Sequence, residues 1–182
     1  MKFKTWKTIK LGTGLKTPAD FRRALKSSGC EVGRWGADAI LDSPAFVVSL
    51  TEIQVKLVII SVAELGLHGE KESWNDRKLI SFEEIYSCAQ ELNLGICSIE
   101  VGPQLRLQYL EQPVLADEWI NIGMKPIKVK PHSTTETSEN LIFTLSHHDK
   151  KGKLGLAAGD GSPRRLFSHA NRFVFIHTET TS

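Results

Sequence analysis

The chain is short of paired cysteines, of long apolar runs and of net charge, and each shortage closes off a class of protein. Its three cysteines, Cys30, Cys88 and Cys97, are odd in number and none has the close spacing of a redox or zinc motif, so a disulfide framework is not expected and a reducing compartment is. The longest apolar cluster, residues 57–63, is far too short to cross a bilayer, and the N-terminal MKFKTWKTIKLG scatters charge where a signal peptide needs an apolar stretch. The expectation is a soluble, cytoplasmic protein with no membrane partner. A net charge of +2 over 182 residues implies no polyanionic partner through bulk charge. No repeat and no catalytic signature stands out.

What is present is enough apolar material, 41% of residues, for one sizeable core. A single domain over 1–182 is expected, with a basic strand–helix part (1–48), a central strand and helix (49–112) and C-terminal strands (113–182). Charge is unevenly placed. Residues 1–40 hold nine of the 23 bases and three of the 21 acids. Lys7, Lys10, Arg22, Arg23 and Lys26, with aromatic residues interleaved, could track a nucleic-acid backbone, although lysines on a solvated helix face are commonplace.

The stretch SFEEIYSCAQELNLGICSIEVGPQLRLQYL (81–110) has the clearest internal logic. Ser81 and Glu84 form a capping box, so a helix starts there. Phe82, Ile85, Ala89 and Leu92 share one face, Cys88 reads as a buried apolar thiol, and Asn93 or Gly95 ends the helix near residue 93. Two readings compete for 103–110. Leu105, Leu107 and Tyr109 alternate with Gln104, Arg106 and Gln108, which predicts a strand with one polar face. Pro103 after Gly102 also suits the first turn of a helix, which would make a helix-turn-helix. The strand is favoured, because a helix would scatter the apolar residues around its circumference.

Elsewhere, residues 4–11 read as a strand, Thr17-Pro18-Ala19-Asp20 as the start of a helix running to about Ser28, and Trp35, Ala39 and Ile40 as part of a second, short helix. Phe46–Ser49 and Ile53–Val62 are predicted strands, the second central and buried on both faces. Residues 63–66 suit one helical turn, and the charged segment 68–78, which contains Trp74, reads as a loop. Residues 119–124, 141–147, 154–158 and 172–177 are four more strands. The stretches 131–139, 148–152 and 159–163 read as connections. The fold class is α+β: early and central helices packed on a mainly antiparallel sheet completed by a C-terminal meander.

With TWKTIKLGTGLKTPADFRRALK, SVAELG, EVGPQLRLQY and RFVFI after a Gly-Asp-Gly-Ser-Pro loop, the chain resembles a family of small uncharacterised bacterial proteins. The resemblance spans most of the chain and implies a bacterial source. It implies no activity, cofactor or catalytic residue, and the charged loop 69–78 is longer here than its pattern requires.

Three constellations could carry chemistry. On a strand face, Glu100, Gln104, Arg106 and Gln108 beside Tyr109 would floor a pocket in which Arg106 grips a carboxylate or phosphate; the plainer reading is a solvated face or an Arg106–Glu100 pair. Asp160, Arg164, Arg165, His169 and Asn171 form a second polar cluster, where Gly159 and Gly161 would admit a ligand close to the backbone, against the alternative of a plain turn. Cys97, Glu100 and a histidine could make a thiol site, though nothing in the spacing pairs them. His147 and His148, adjacent on a strand, point to opposite faces, so no metal site is expected, and no cofactor. The best reading is a non-enzymatic binding or interaction protein, its partner a protein or a small anionic ligand. Against it stands a small enzyme using Glu100 as acid/base and Arg106 as anchor. A nucleic-acid-binding protein is the third reading.

Overall fold

A computed structural model describes residues 3–34, 36–67, 71–72, 78–114, 119–130, 139–148 and 152–178. The alternation in KTIKL makes the first strand, β1 (Lys7–Leu11), which buries Ile9 and Leu11 and turns Thr8 and Lys10 outward. Gly12 then ends it. Its φ of +65° suits glycine, and a Cβ there would lie 2.1 Å from the Thr51 carbonyl oxygen. Helix α1 (Pro18–Ser27) begins at a capping box in which the Thr17 hydroxyl accepts from the Asp20 N–H and the Asp20 carboxylate accepts from the Thr17 N–H. Phe21 and Leu25 are its buried residues. The two-residue strand β2 (Glu31–Val32) and helix α2 (Ala37–Leu41) follow; Trp35 lies outside the described residues.

The predicted strand at Phe46–Ser49 does not form. A strand needs a partner edge, and β3 (Ile53–Ser61), the strand that follows, is flanked on both sides by others. The segment instead turns back after Pro44, with the Phe46 N–H donating to the Ser43 carbonyl and the Phe46 ring set edge-on against Phe21 at 5.3 Å. Residues 62–66 form a hydrogen-bonded turn in which the Leu65 N–H reaches the Ser61 carbonyl. Of the expected loop 68–78, Lys71–Glu72 is a strand, β4, paired with β5 (Lys78–Ser81); Trp74 and its neighbours lie outside the described residues.

Helix α3 (Phe82–Glu91) starts at the Ser81–Glu84 capping box, buries Phe82, Ile85 and Ala89, and is followed by Asn93 in the left-handed conformation. Cys88 is only half-buried, its thiol donating to the Leu65 carbonyl. After β6 (Leu94–Gly95) comes the main correction: 101–108 is a helix, α4 (Val101–Gln108), not a strand. The apolar residues do scatter around its circumference, because the helix is enclosed nearly all round; Val101 through Arg106 are all buried. Gly102 makes this possible, since a Cβ there would meet the Phe143 side chain at 2.6–2.8 Å. With Gln104 and Arg106 buried, the pair α3–α4 offers no groove-reading face.

The C-terminal third supplies β7 (Trp119–Ile122), β8 (Ile127–Val129), β9 (Glu139–His148), β10 (Lys153–Asp160), β11 (Leu166–Ser168) and β12 (Arg172–His177). They complete a curled nine-stranded sheet, ordered β1-β3-β12-β7-β9-β10-β2, with β6 continuing beside β12 and β8 beside β9. Most pairs are antiparallel, including the successive β7, β9 and β10. The last strand returns to the middle, antiparallel to β3 and parallel to β7. The connection 131–138 and residues 149–151 of the β9–β10 link lie outside the described residues. Helix α4 packs on one face of the sheet, against Phe143; α3 covers the other, with Tyr86 against Phe175 at 5.8 Å. Beyond α3, β11, β5 and β4 form a separate three-stranded sheet. Among the described residues, no helix is long and apolar enough to cross a membrane.

Candidate functional site

The residues first suspected of ligand binding divide into three groups. Glu100, Gln104 and Gln108, spaced by one helical turn on α4, form a ladder that fastens the helix to the outer edge of the sheet. Glu100 is 1% exposed; its Oε1 accepts from the Gly12 N–H and from Gln104 Nε2, and its Oε2 accepts from the Ser49 N–H at 2.7 Å. Gln104 also donates to Thr13 Oγ1, and Gln108 accepts from the Lys10 N–H and donates to the Lys10 carbonyl. The Lys10 N–H and carbonyl are groups that edge strand β1 would otherwise leave unpaired.

Arg106 points elsewhere and is fully buried. It donates to Gln112 Oε1 at 2.6 Å and to the Tyr109 carbonyl, and lies beside the Cys30 thiol and 5.8 Å from the Tyr109 ring centre. Burial pulls its pKa below the ordinary arginine value. Tyr109 in turn meets the Trp6 ring edge-on, with the Lys7 ammonium 4.4 Å from its ring centre. Glu100 and Arg106 therefore do not meet, and neither joins the 160–171 segment.

The basic residues suspected of holding nucleic acid are mostly paired with acids. Lys7 meets Glu111, Lys10 meets Glu52, Arg22 bridges Asp38 and Asp42, and Arg23 meets Asp20; only Lys26 has no acidic partner among the described residues. The Cys97 thiol is buried and donates to the Val174 carbonyl, and burial pushes its pKa up, so it is a poor nucleophile. Among the described residues no three metal-ligating side chains cluster.

The third group, at 160–171, lines a cavity of about 300 Å³ with Asp160, Arg165 and Asn171; Arg164 is exposed outside it and His169 is half-buried outside it. Strand pairing explains how the cavity arises. One row crosses the sheet in register, from Phe173 on β12 to Asn121 on β7, Thr144 on β9 and Ala157 on β10. At its β12 end the row is roofed by aromatic rings, Phe167 lying 5.1 Å and Phe82 6.4 Å from Phe173. Further along, large apolar residues give way to an amide, a hydroxyl and a methyl group. Gly159 shares this side, and a Cβ there would come within 3.1 Å of the Thr144 methyl. The opposite wall is pinned by β11, which pairs with β5 from Leu166↔Ser81 to Ser168↔Leu79, and by the Phe82 N–H, which donates to the Arg165 carbonyl. Trp119 and Leu166, two of the exposed large apolar residues, also line it.

Hydrogen bonding around the cavity is half used. Asn121 Nδ2 donates to the Arg172 carbonyl at 3.0 Å, which fixes the amide with its oxygen unclaimed. Asn171 Oδ1 accepts from the Ser168 N–H and hydroxyl, which leaves its NH2 unclaimed. Asp160 Oδ1 accepts from the Ser162 N–H. The Thr144 hydroxyl, on a residue 2% exposed, has no hydrogen-bond partner among the described residues. Arg165 lies 6.0 Å from the Phe167 ring centre. Sequence reasoning pointed to Asp160, Arg165 and Asn171 but not to Trp119, Asn121 and Thr144, which line the same cavity. The available signal was a polar residue inside the otherwise apolar runs INI and FTL.

A second cavity, of about 350 Å³ and more apolar, lies along α3 between Phe82, Tyr86, Pro126 and Pro163. No protein-family model, curated protein or solved structure matches the chain.

Proposed function

We propose that this is a non-enzymatic binding protein that holds a small polar ligand in the cavity between the β7–β9–β10 face and the 165–171 segment. The observation that carries the reading is the buried Thr144 hydroxyl without a partner among the described residues, on a cavity also lined by two asparagines each held at one end of the amide. A buried polar group left unpaired costs about 1–3 kcal/mol, and a ligand that completes the bonds offsets that cost. Binding is favoured over catalysis because the polar groups at the cavity floor, the Asn121 amide and the Thr144 hydroxyl, are neither acids nor bases near neutral pH, and Arg165 is exposed. The reading with Glu100 as acid/base and Arg106 as anchor loses support from their burial on separate sides of α4. The nucleic-acid reading loses support from the acids that pair with four of the five bases. Three free cysteines suit the cytoplasm, and the resemblance to small bacterial proteins suits a bacterial source.

Thermal melts of the full chain with a panel of polar small molecules test the reading. A ligand at a hundred times its dissociation constant should stabilise the protein by about 2.7 kcal/mol. Thr144→Val should remove most of that response while leaving the protein folded. A panel in which no compound raises the melting temperature would overturn the proposal.

A further inference from the structure

The floor of the cavity carries hydrogen-bonding groups without charge. Asn121 and Thr144 are register partners on β7 and β9, and Trp119, two residues before Asn121 on the same strand, shares their face. Asn121 Nδ2 is tied to the Arg172 carbonyl, so the amide presents its oxygen. That oxygen lies toward Gly159, where a Cβ would come within 3.9 Å of it and within 3.1 Å of the Thr144 methyl. A larger residue at 159 would lie over both groups. Strand alternation turns the Asp160 side chain to the opposite face of β10 from Gly159. Arg165, at the exposed rim, is then the charged side chain on the cavity among the described residues.

We infer that the cavity takes an uncharged, polyhydroxylated ring, a single monosaccharide unit. This rests on the reading of the cavity as a binding site. Charged ligands fit the floor poorly. A carboxylate or a fully ionised phosphate has no hydrogen to give the Asn121 oxygen and would set an acceptor against an acceptor. A cation would find no carboxylate at the floor and a guanidinium at the rim. A sugar hydroxyl both donates and accepts, so one hydroxyl can donate to Asn121 Oδ1 while its neighbour bonds the Thr144 hydroxyl in either sense. The aromatic residues point the same way. Phe167 is 8% exposed and packs into the core against Phe173 and Phe82, whereas Trp119 is 39% exposed at the rim. A flat heteroaromatic ligand is held best between two ring faces. A pyranose needs one, because the weakly positive C–H hydrogens on one side of the sugar suit the negative face of an indole while its hydroxyls project outward. A cavity of about 300 Å³ has room for a single sugar ring.

Calorimetric titration of the full chain tests this with a set of hexoses and pentoses, their monodeoxy analogues, and controls comprising amino acids, simple amines and carboxylates, inorganic phosphate and nucleosides. The expected result is binding of at least one monosaccharide at one site per chain, with an affinity that does not change with salt, since no charge is neutralised. Thr144→Val and Trp119→Ala, the second at an exposed position, should each weaken it tenfold or more. Removal of the hydroxyl that meets Thr144 should weaken the wild type by a similar factor and leave Thr144→Val with no further loss, whereas removal of hydroxyls elsewhere on the ring should not show this coupling. Binding of a control compound that Thr144→Val removes, with no sugar bound, would overturn the ligand class and leave the cavity as the site. A sugar bound equally well by wild type, Thr144→Val and Trp119→Ala would overturn the inference. No binding by any member of the panel would overturn it together with the reading on which it rests.

Discussion

Thr144 and Arg106 are both buried polar residues, and the fold uses them in opposite ways. The Thr144 hydroxyl has no partner among the described residues, so its removal from the unliganded protein should relieve a desolvation penalty. Thr144→Val, close in shape, is expected to leave the urea midpoint unchanged or raise it, by up to about 1–2 kcal/mol of stability. A clear loss of stability would show that the hydroxyl already has a partner. Arg106 is instead tied into the structure by its two terminal nitrogens, which reach Gln112 and the Tyr109 carbonyl, while its Nε, like Gln112 Nε2, has no partner among the described residues. Arg106→Lys keeps a charge but loses the planar fork, and should lower stability by about 1–3 kcal/mol with no effect on ligand response. Urea denaturation with and without a bound ligand separates the two outcomes.

Among the elements, α4 tests the fold most sharply. It is enclosed on nearly all sides, and its fit against β9 depends on the absence of a side chain at Gly102. Gly102→Ala gains helix propensity but forces a Cβ against Phe143, and a net loss of about 1–3 kcal/mol is expected; chemical denaturation measures it. How legible each element was follows from the kind of burial it has. Helices α1 and α3 could be read because Thr17–Asp20 and Ser81–Glu84 are local devices and each helix buries one stripe. Strand β3 could be read because Val58, Ile59 and Ile60 in succession mark a central strand. Helix α4 could not, since the alternation of Leu105, Leu107 and Tyr109 looks like a strand when a helix is buried all round. Residues 46–49 have strand composition, but both sides of β3, the strand that follows them, are taken by β1 and β12. The site was legible only in part: Asp160, Arg165 and Asn171 fall in a turn-rich stretch that draws attention, whereas Asn121 and Thr144 become neighbours only through the β7–β9 register.

For the whole molecule, the return of β12 to the centre of the sheet joins the core to the cavity. The row that begins at buried Phe173 continues through Asn121 and Thr144, which are themselves buried, so the cavity floor is part of the same packed sheet as the core. The core also sets the response to alkali. Burial raises the pKa of the Cys97 thiol above its ordinary 9.0 and that of the Tyr86 phenol above its ordinary 10.0. Between those values and the raised ones, the unfolded chain holds fewer protons than the folded one, so stability falls as pH rises. It should be constant with respect to these groups below about pH 9 and decline above it, and the decline should be shallower in Cys97→Ala. Denaturation midpoints across roughly pH 7 to 11 check the sign; a stability that rose with pH in that range would contradict it.

The central claim is that the molecule's binding site is the cavity on the β7–β9–β10 face, and backbone amide NMR titration with whichever panel compound stabilises the protein tests it most directly. The account predicts shifts confined to Asn121, Thr144, the 159–167 segment and Asn171, saturating with one dissociation constant. Shifts centred on the α3 groove around Tyr86 and Gln90, or on α4 around Glu100 and Arg106, with the amides of Asn121 and Thr144 unmoved, would contradict it.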